Sequence, residues 1–284
     1  MRAVVADSER ELRARLRDLS PPSPEVAGLL ADGELAWVFP GSGNHFVGMG
    51  QDLAAAFRWS ARMGMHEAVA NHFSFAINED GTRFLVNPAG IHFARVQASD
   101  LIIVDLNGEN PSPQDGGPDP SAIAIHGAMH RNNPQARCII HLHPKYTTAL
   151  ATLEDPTMLP LDQNTARFYN RIAYDLDFGG MGLGDEAERL SGQLGNRSIM
   201  LMGAHGAMTV GPRVADAFDD FYYLERAAET LMTAYASGQR LRVLPPALAE
   251  TTAQQWETYA FDLRGAHLEQ LKAILDEEGS DFRD

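Results

Sequence analysis

With a single cysteine, Cys138, in 284 residues, the chain can form no internal disulfide, and a reducing compartment is the expected setting. It also lacks any apolar run approaching the ~20 residues needed to span a bilayer. The opening Met1-Arg-Ala-Val-Val-Ala-Asp-Ser-Glu-Arg10 is charged from its second residue and has no apolar stretch of the kind found in a secretion signal. Positive charge is scarce: 23 Lys and Arg stand against 38 Asp and Glu, a formal net charge of −15. Such a balance disfavours nucleic-acid phosphates and anionic membrane surfaces alike. The expectation is a cytoplasmic protein with neither kind of partner.

What is present suits one large domain. The apolar content of 44% is ordinary for a chain that buries a core. Residues 7–19 read as a charged helix ended by Pro21-Pro22-Ser23-Pro24, within an arm of residues 1–35 suited to packing on a neighbouring subunit. The stretch Gly41–Gly50 is glycine-rich but has no P-loop lysine, and reads as a loop before a helix at 51–65. Short β-type runs follow at 72–77, 84–86 and 101–106, separated by Asp80-Gly81, Asn87-Pro88 and Asn107-Gly108, the pattern of antiparallel strands. A helix is expected over 120–133, a strand over 138–143 and a helix over 185–194 closed by Gly195. Two strands at 198–202 and 207–210 precede a long amphipathic helix from Arg213 to Ser237, stopped by Gly238. One further helix near 251–276 closes the chain. The fold class is therefore α/β, three layers with a central, mainly antiparallel sheet, in a main domain of residues 36–245 with a C-terminal helical tail at 246–284.

Ten histidines are present, and five of them, His45, His66, His92, His130 and His267, have no partner in the sequence and read as ordinary. His141 and His143 differ. Two residues apart on a strand, they point to one face about 7 Å from each other and can converge on one cation. His205 lies in Gly203-Ala-His-Gly206, a tight turn between two strands. Three imidazoles with an open fourth position describe a catalytic site, because structural zinc sites close with four ligands and favour cysteine. Zinc is the first choice for this one divalent ion, with manganese and iron as the others.

Phe84-Leu-Val-Asn-Pro-Ala-Gly90, Ala98–Asp105, His141-Leu-His143, His205-Gly206 and Leu224-Glu-Arg226 occur in an order that resembles the class II aldolase/adducin family over about residues 50–240. The resemblance implies that His141, His143 and His205 ligate the metal, and that the protein is a homotetramer with sites at subunit boundaries. Sugar-phosphate aldolases of the family also carry an acid–base glutamate, in a Ser-Glu step one turn before a helix histidine. Aligned on Pro120-Ser-Ala-Ile-Ala-Ile-His126, that position is Ala122. Where those enzymes cradle phosphate, this chain offers His72, Ala89-Gly90 and Pro120-Ser121, so only Gly90 and Ser121 remain of that set.

These substitutions point away from a sugar phosphate and towards a small carboxylate or keto substrate, with a protonated His72 facing its charge. Gly90, Ser121 and Lys145 are the candidate substrate contacts, with Tyr146 beside them. His72 and His126 are the candidate acid–base groups; His126 also has a plain reading as a packed residue behind the site. The function expected is a metal-dependent carbon–carbon lyase, aldolase or decarboxylase, working through a stabilised enediolate. An Fe(II) oxygenase and an adducin-like scaffold are the alternatives.

Overall fold

The computed structural model describes residues 48–177 and 179–284, together with the backbone of two short strands, β1 (Ala27–Leu29) and β2 (Ala36–Val38), which pair antiparallel. The helix expected at 7–19, most of the arm at 1–35, His45 and most of the glycine-rich stretch before residue 48 lie outside the described residues.

Seven strands make the central sheet: β3 (His72–Ala76), β4 (Arg83–Val86), β5 (Ile102–Asp105), β6 (Cys138–Leu142), β7 (Ile172–Asp175), β8 (Ile199–Met202) and β9 (Gly206–Gly211). Their spatial order is β5-β4-β3-β6-β9-β8-β7. Every neighbouring pair is antiparallel except β7 with β8. The helices are α1 (Met49–Arg62), α2 (Pro120–Asn132), α3 (Lys145–Ala151), the single turn α4 (Gln163–Ala166), α5 (Asp185–Leu194), α6 (Val214–Ala236), α7 (Pro246–Glu257) and α8 (Leu263–Glu277).

Strand alternation divides the core into two layers. On one side Phe73, Phe75, Cys138, Ile140, Leu142 and Leu201 pack against apolar residues of α1, α6 and α8. On the other, Ile139, Met200, Met202, Met208 and Val210 pack against Ile125 and Met129 of α2 and Leu190 and Leu194 of α5. The result is the three-layer α/β/α arrangement with a mainly antiparallel sheet. The last helix, α8, and the residues after it share that core, since Leu268, Leu271, Leu275 and Phe282 are buried in it.

Two elements differ from expectation. The last helix is two, α7 and α8, broken where Asp262 turns to cap α8 by accepting from the Gly265 N–H at 3.0 Å. Strand β7 went unread because Ile172-Ala-Tyr-Asp175 is too short to show a period, and its parallel pairing depends on the α5 crossover.

Candidate metal centre

His141 shares a strand face with Ile139, on the α2 side of the sheet, and His143 follows just beyond the strand's end. Each ring is aimed by a bond from its far nitrogen. His141 Nδ1 donates to the Ala207 carbonyl at 3.0 Å, and His143 Nδ1 donates to a Glu67 carboxylate oxygen at 2.6 Å. Both partners are pure acceptors, so each Nδ1 carries a proton, and in the neutral ring, the form that ligates a metal, each Nε2 presents a lone pair. Those two lone-pair nitrogens are 3.0 Å apart. Two lone pairs at that separation repel one another unless a cation bridges them, a requirement that a divalent metal can meet.

His205 completes the group: its ring centroid is 4.9 Å from that of His141 and 4.6 Å from that of His143. One nitrogen from each of the three lies within 4.8 Å of the others. The turn carrying it is pinned by Gly203 N–H to Asp175 O at 2.6 Å and Ala204 N–H to Ala151 O at 3.0 Å, with Ala204 held at φ 53°. Gly206 is required by the packing. A Cβ there would sit 2.5 Å from His143 Cδ2 and 2.6 Å from the Leu142 carbonyl oxygen. The glycine after His205 thus makes room for the ring of another candidate ligand, His143.

Burial depresses His141 well below the usual histidine range, and the neighbouring imidazoles add to it. His205 is pushed down to about 4, again mainly by burial and then by His143. Neutral imidazoles are the ligating form, so this environment prepares the donors rather than hindering them.

A cavity of about 300 Å³ opens beside the triad, lined by His72, Asn87, Gly90, Asp119, Ser121 and Met181 as well as the three histidines. Its walls follow from register and capping. His72 lies directly across the β3–β6 ladder from His141, with ring centroids 5.1 Å apart. Asp119 is the N-cap of α2, accepting from Ser121 N at 2.8 Å and Ser121 Oγ at 2.5 Å, which turns Ser121 towards the cavity. Gly90, at φ 80°, has open space where a Cβ would stand.

Three expectations change here. His72 does not face the cavity as a cation: burial holds it down to about 4, although the Asp119 carboxylate pulls the other way. His126 is fully buried and stands behind His72, its Nε2 2.7 Å from His72 Nδ1, so it reaches the cavity only through that ring. Lys145 is exposed, with Nζ 5.1 Å from the centre of the Tyr146 ring, and is not among the lining residues. The cause is Glu225 on α6, which accepts from Tyr146 N at 3.0 Å and Thr147 N at 2.8 Å and docks α3 with its first side chain outward. Asp119, Glu67 and Met181 were not anticipated. An Asp before Pro at a helix start could have signalled Asp119; nothing local signals the other two.

The chain belongs to the class II aldolase and adducin family, whose N-terminal domain matches residues 51–232. A Caulobacter vibrioides protein assigned provisionally to the class 2 aldolases is 30% identical over 200 residues, 70% of this chain and 77% of that one. The 3-oxo-tetronate 4-phosphate decarboxylase of Haemophilus influenzae is 31% identical over 180 residues, 60% of this chain and 80% of that enzyme. Among solved structures, an aldolase II superfamily protein from Pseudomonas syringae superposes with a TM-score of 0.76 at 28% identity, covering 83% of this chain and 95% of that one.

Proposed function

We propose that the protein is a metal-dependent carbon–carbon lyase acting on a small, non-phosphorylated hydroxy- or keto-carbonyl compound. The observation that carries this reading is the pair of oriented lone pairs on His141 and His143, 3.0 Å apart at the wall of a cavity that His72 and His205 also line. A divalent ion held by His141, His143 and His205, zinc first and manganese or iron after it, supplies a Lewis acid for the substrate's carbonyl oxygen. A scaffold has no physical use for converging, unprotonated donors.

His72 takes the acid–base role that Ala122 cannot, because its ring lies beside His141 in the cavity whereas the Ala122 side chain has no proton to exchange. Gly90 and Ser121 hold the substrate, the first by close backbone approach and the second by its hydroxyl. No Lys or Arg is among the described lining residues, while Asp119 is, so the cavity offers a phosphate dianion neutral donors only and sets a carboxylate against it. The Haemophilus influenzae relative is named for a phosphorylated substrate; this cavity favours one without it. We place the protein in the cytoplasm, as a homotetramer, a state that light scattering checks.

The test is a screen of the metal-loaded protein against hydroxy-keto acids, β-keto acids and the fuculose and ribulose phosphates. Cleavage of the sugar phosphates at ordinary enzymatic rates overturns the substrate class. Oxygen uptake coupled to turnover replaces the lyase with an oxygenase. His72→Asn should lower turnover by roughly 10² with metal content unchanged, the usual contribution of a general acid or base.

A further inference from the structure

Behind the cavity runs a buried line of polar side chains that the metal does not use. From the interior outward it consists of the Ala136 carbonyl, His130, Ser74, His126 and His72. His130 Nδ1 is 2.6 Å from Ala136 O, and His130 Nε2 is 2.8 Å from Ser74 Oγ. Ser74 Oγ contacts His126 Nδ1, and His126 Nε2 lies 2.7 Å from His72 Nδ1. All four side chains are at most 6% exposed.

The direction of every proton in this line follows from its inner end. A carbonyl only accepts, so His130 carries its proton on Nδ1, and as a neutral ring it accepts at Nε2. Ser74 must then donate its one proton to His130, and its remaining lone pair accepts from His126 Nδ1–H. His126 therefore accepts at Nε2, from His72 Nδ1–H. The neutrality this requires of the inner rings matches their burial: His130 is pushed down to about 3 and His126 well below the usual range, burial leading in each case. At the outer end Ser121 cannot reverse the sense, since its hydroxyl gives its proton to Asp119 at 2.5 Å and stands 3.3 Å from His72 Nε2.

We infer that His130, Ser74 and His126 form a one-way relay that locks His72 as the Nδ1–H tautomer, presenting Nε2 to the cavity as a base. This deepens the lyase reading and rests on it for its chemical use. A resting base suits cleavage of a β-hydroxy carbonyl compound better than simple decarboxylation, which removes no hydroxyl proton. In that cleavage the hydroxyl proton passes to His72 Nε2 and the O–H electron pair becomes the new C=O bond. The carbon–carbon bond breaks, its pair stays on the carbon next to the carbonyl, and the same proton returns to that carbon. Ser74, His126 and His130 touch no substrate; they are positioning residues.

Neutron diffraction from deuterium-exchanged crystals of the full chain at neutral pH tests the relay with no assay at all. Deuterium is expected on Nδ1 of His72, His126 and His130 and not on His72 Nε2; deuterium on His72 Nε2 overturns the inference whether or not a substrate is known. Two substitutions at one place separate relay from packing. His126→Gln keeps the polarity, its amide N–H donating towards Ser74 and its carbonyl accepting from His72, and should leave His72 in the same tautomer. His126→Leu removes the acceptor and should put deuterium on Nε2 in part of the molecules. If His126→Leu folds and His72 is unchanged, or if His126→Gln scrambles it, the relay has no role. Once a substrate is found, Ser74→Ala should lower kcat about tenfold at unchanged KM and metal content. A failure of turnover alone, with the deuterium pattern as expected, counts against the lyase and not the relay.

Discussion

Two clusters of buried polar side chains sit at different places in this molecule, and they are built in opposite ways. Around Arg167, α6 and α8 meet through charge. The Arg167 guanidinium gives 2.7 Å bonds to both Asp219 and Asp220, Arg264 reaches Asp220 at 2.9 Å, and His267 reaches Asp219 at 2.9 Å. Arg167 also lies 4.5 Å from the Tyr223 ring centre and 5.0 Å from that of Trp256. The cavity beside it, at about 460 Å³, is larger than the one at the histidines. Its buried charges are paired with one another, although Arg167 Nε and Nη1 have no hydrogen-bond partner, and the pairs dock the C-terminal helices. The histidine cluster instead brings His141 Nε2 and His143 Nε2 to 3.0 Å of one another at the wall of a cavity. Imidazole nitrogens converging on one point beside a cavity, rather than buried polarity or cavity size, separate a site from a clamp.

The largest effect should come from the clamp. Asp220→Ala strips Arg167 and Arg264 of a buried partner and should cost roughly 3–5 kcal/mol in chemical denaturation, with the stoichiometry of bound divalent metal untouched. Loss of metal in that variant would mean that the two clusters are coupled and the contrast false. His141→Ala should do the reverse, abolishing stoichiometric metal by elemental analysis while the protein stays folded; full occupancy in it would remove His141 from the ligand set. Gly206→Ala should press on His143 and Leu142, lowering stability by about 1–3 kcal/mol and weakening metal binding with it. Glu67→Ala, which frees the His143 ring to turn, should weaken metal affinity by about 10–100-fold with little change in melting temperature.

The gentlest test uses pH. His72, His130 and His205 have folded-state values near 4, 3 and 4, all below the unfolded value of 6.5. Between pH 6.5 and about 4 the unfolded chain therefore binds more protons than the folded one. Metal-free protein should lose stability as pH falls through that window, by at most ~1.4 kcal/mol per pH unit for each histidine. Asp219 shares the sign but not the window: burial would raise it, but the bond from His267 and the charge of Arg167 hold it below its ordinary value as a stabilised charge, so its contribution fades only under pH 3.8. A flat stability profile from 6.5 to 4 would show that the histidines are not held neutral by the fold.

Much of this site is local, and that part was legible. The His141-x-His143 step works because strand side chains repeat every two residues, and the glycine after His205 signals a close approach that proves to be His143's own ring. Lys145 misled because proximity along the chain to His143 says nothing of direction; Glu225, 80 positions on, sets the way α3 leaves the strand. Glu67 was invisible for a similar reason, lying 76 residues from the ring it orients.

The sequence alone determined the layer architecture, the antiparallel character of the sheet and the three ligand candidates, because period, turn residues and short motifs are properties of neighbouring positions. Tertiary structure decided what His72 is. Its placement opposite His141 depends on the β3–β6 register, and its charge on burial under α2. Its tautomer depends on His126 and His130, one turn apart on α2, meeting Ser74, two residues along β3. A proton's position is set by which groups can only accept, and that is known only once the chain has brought them together.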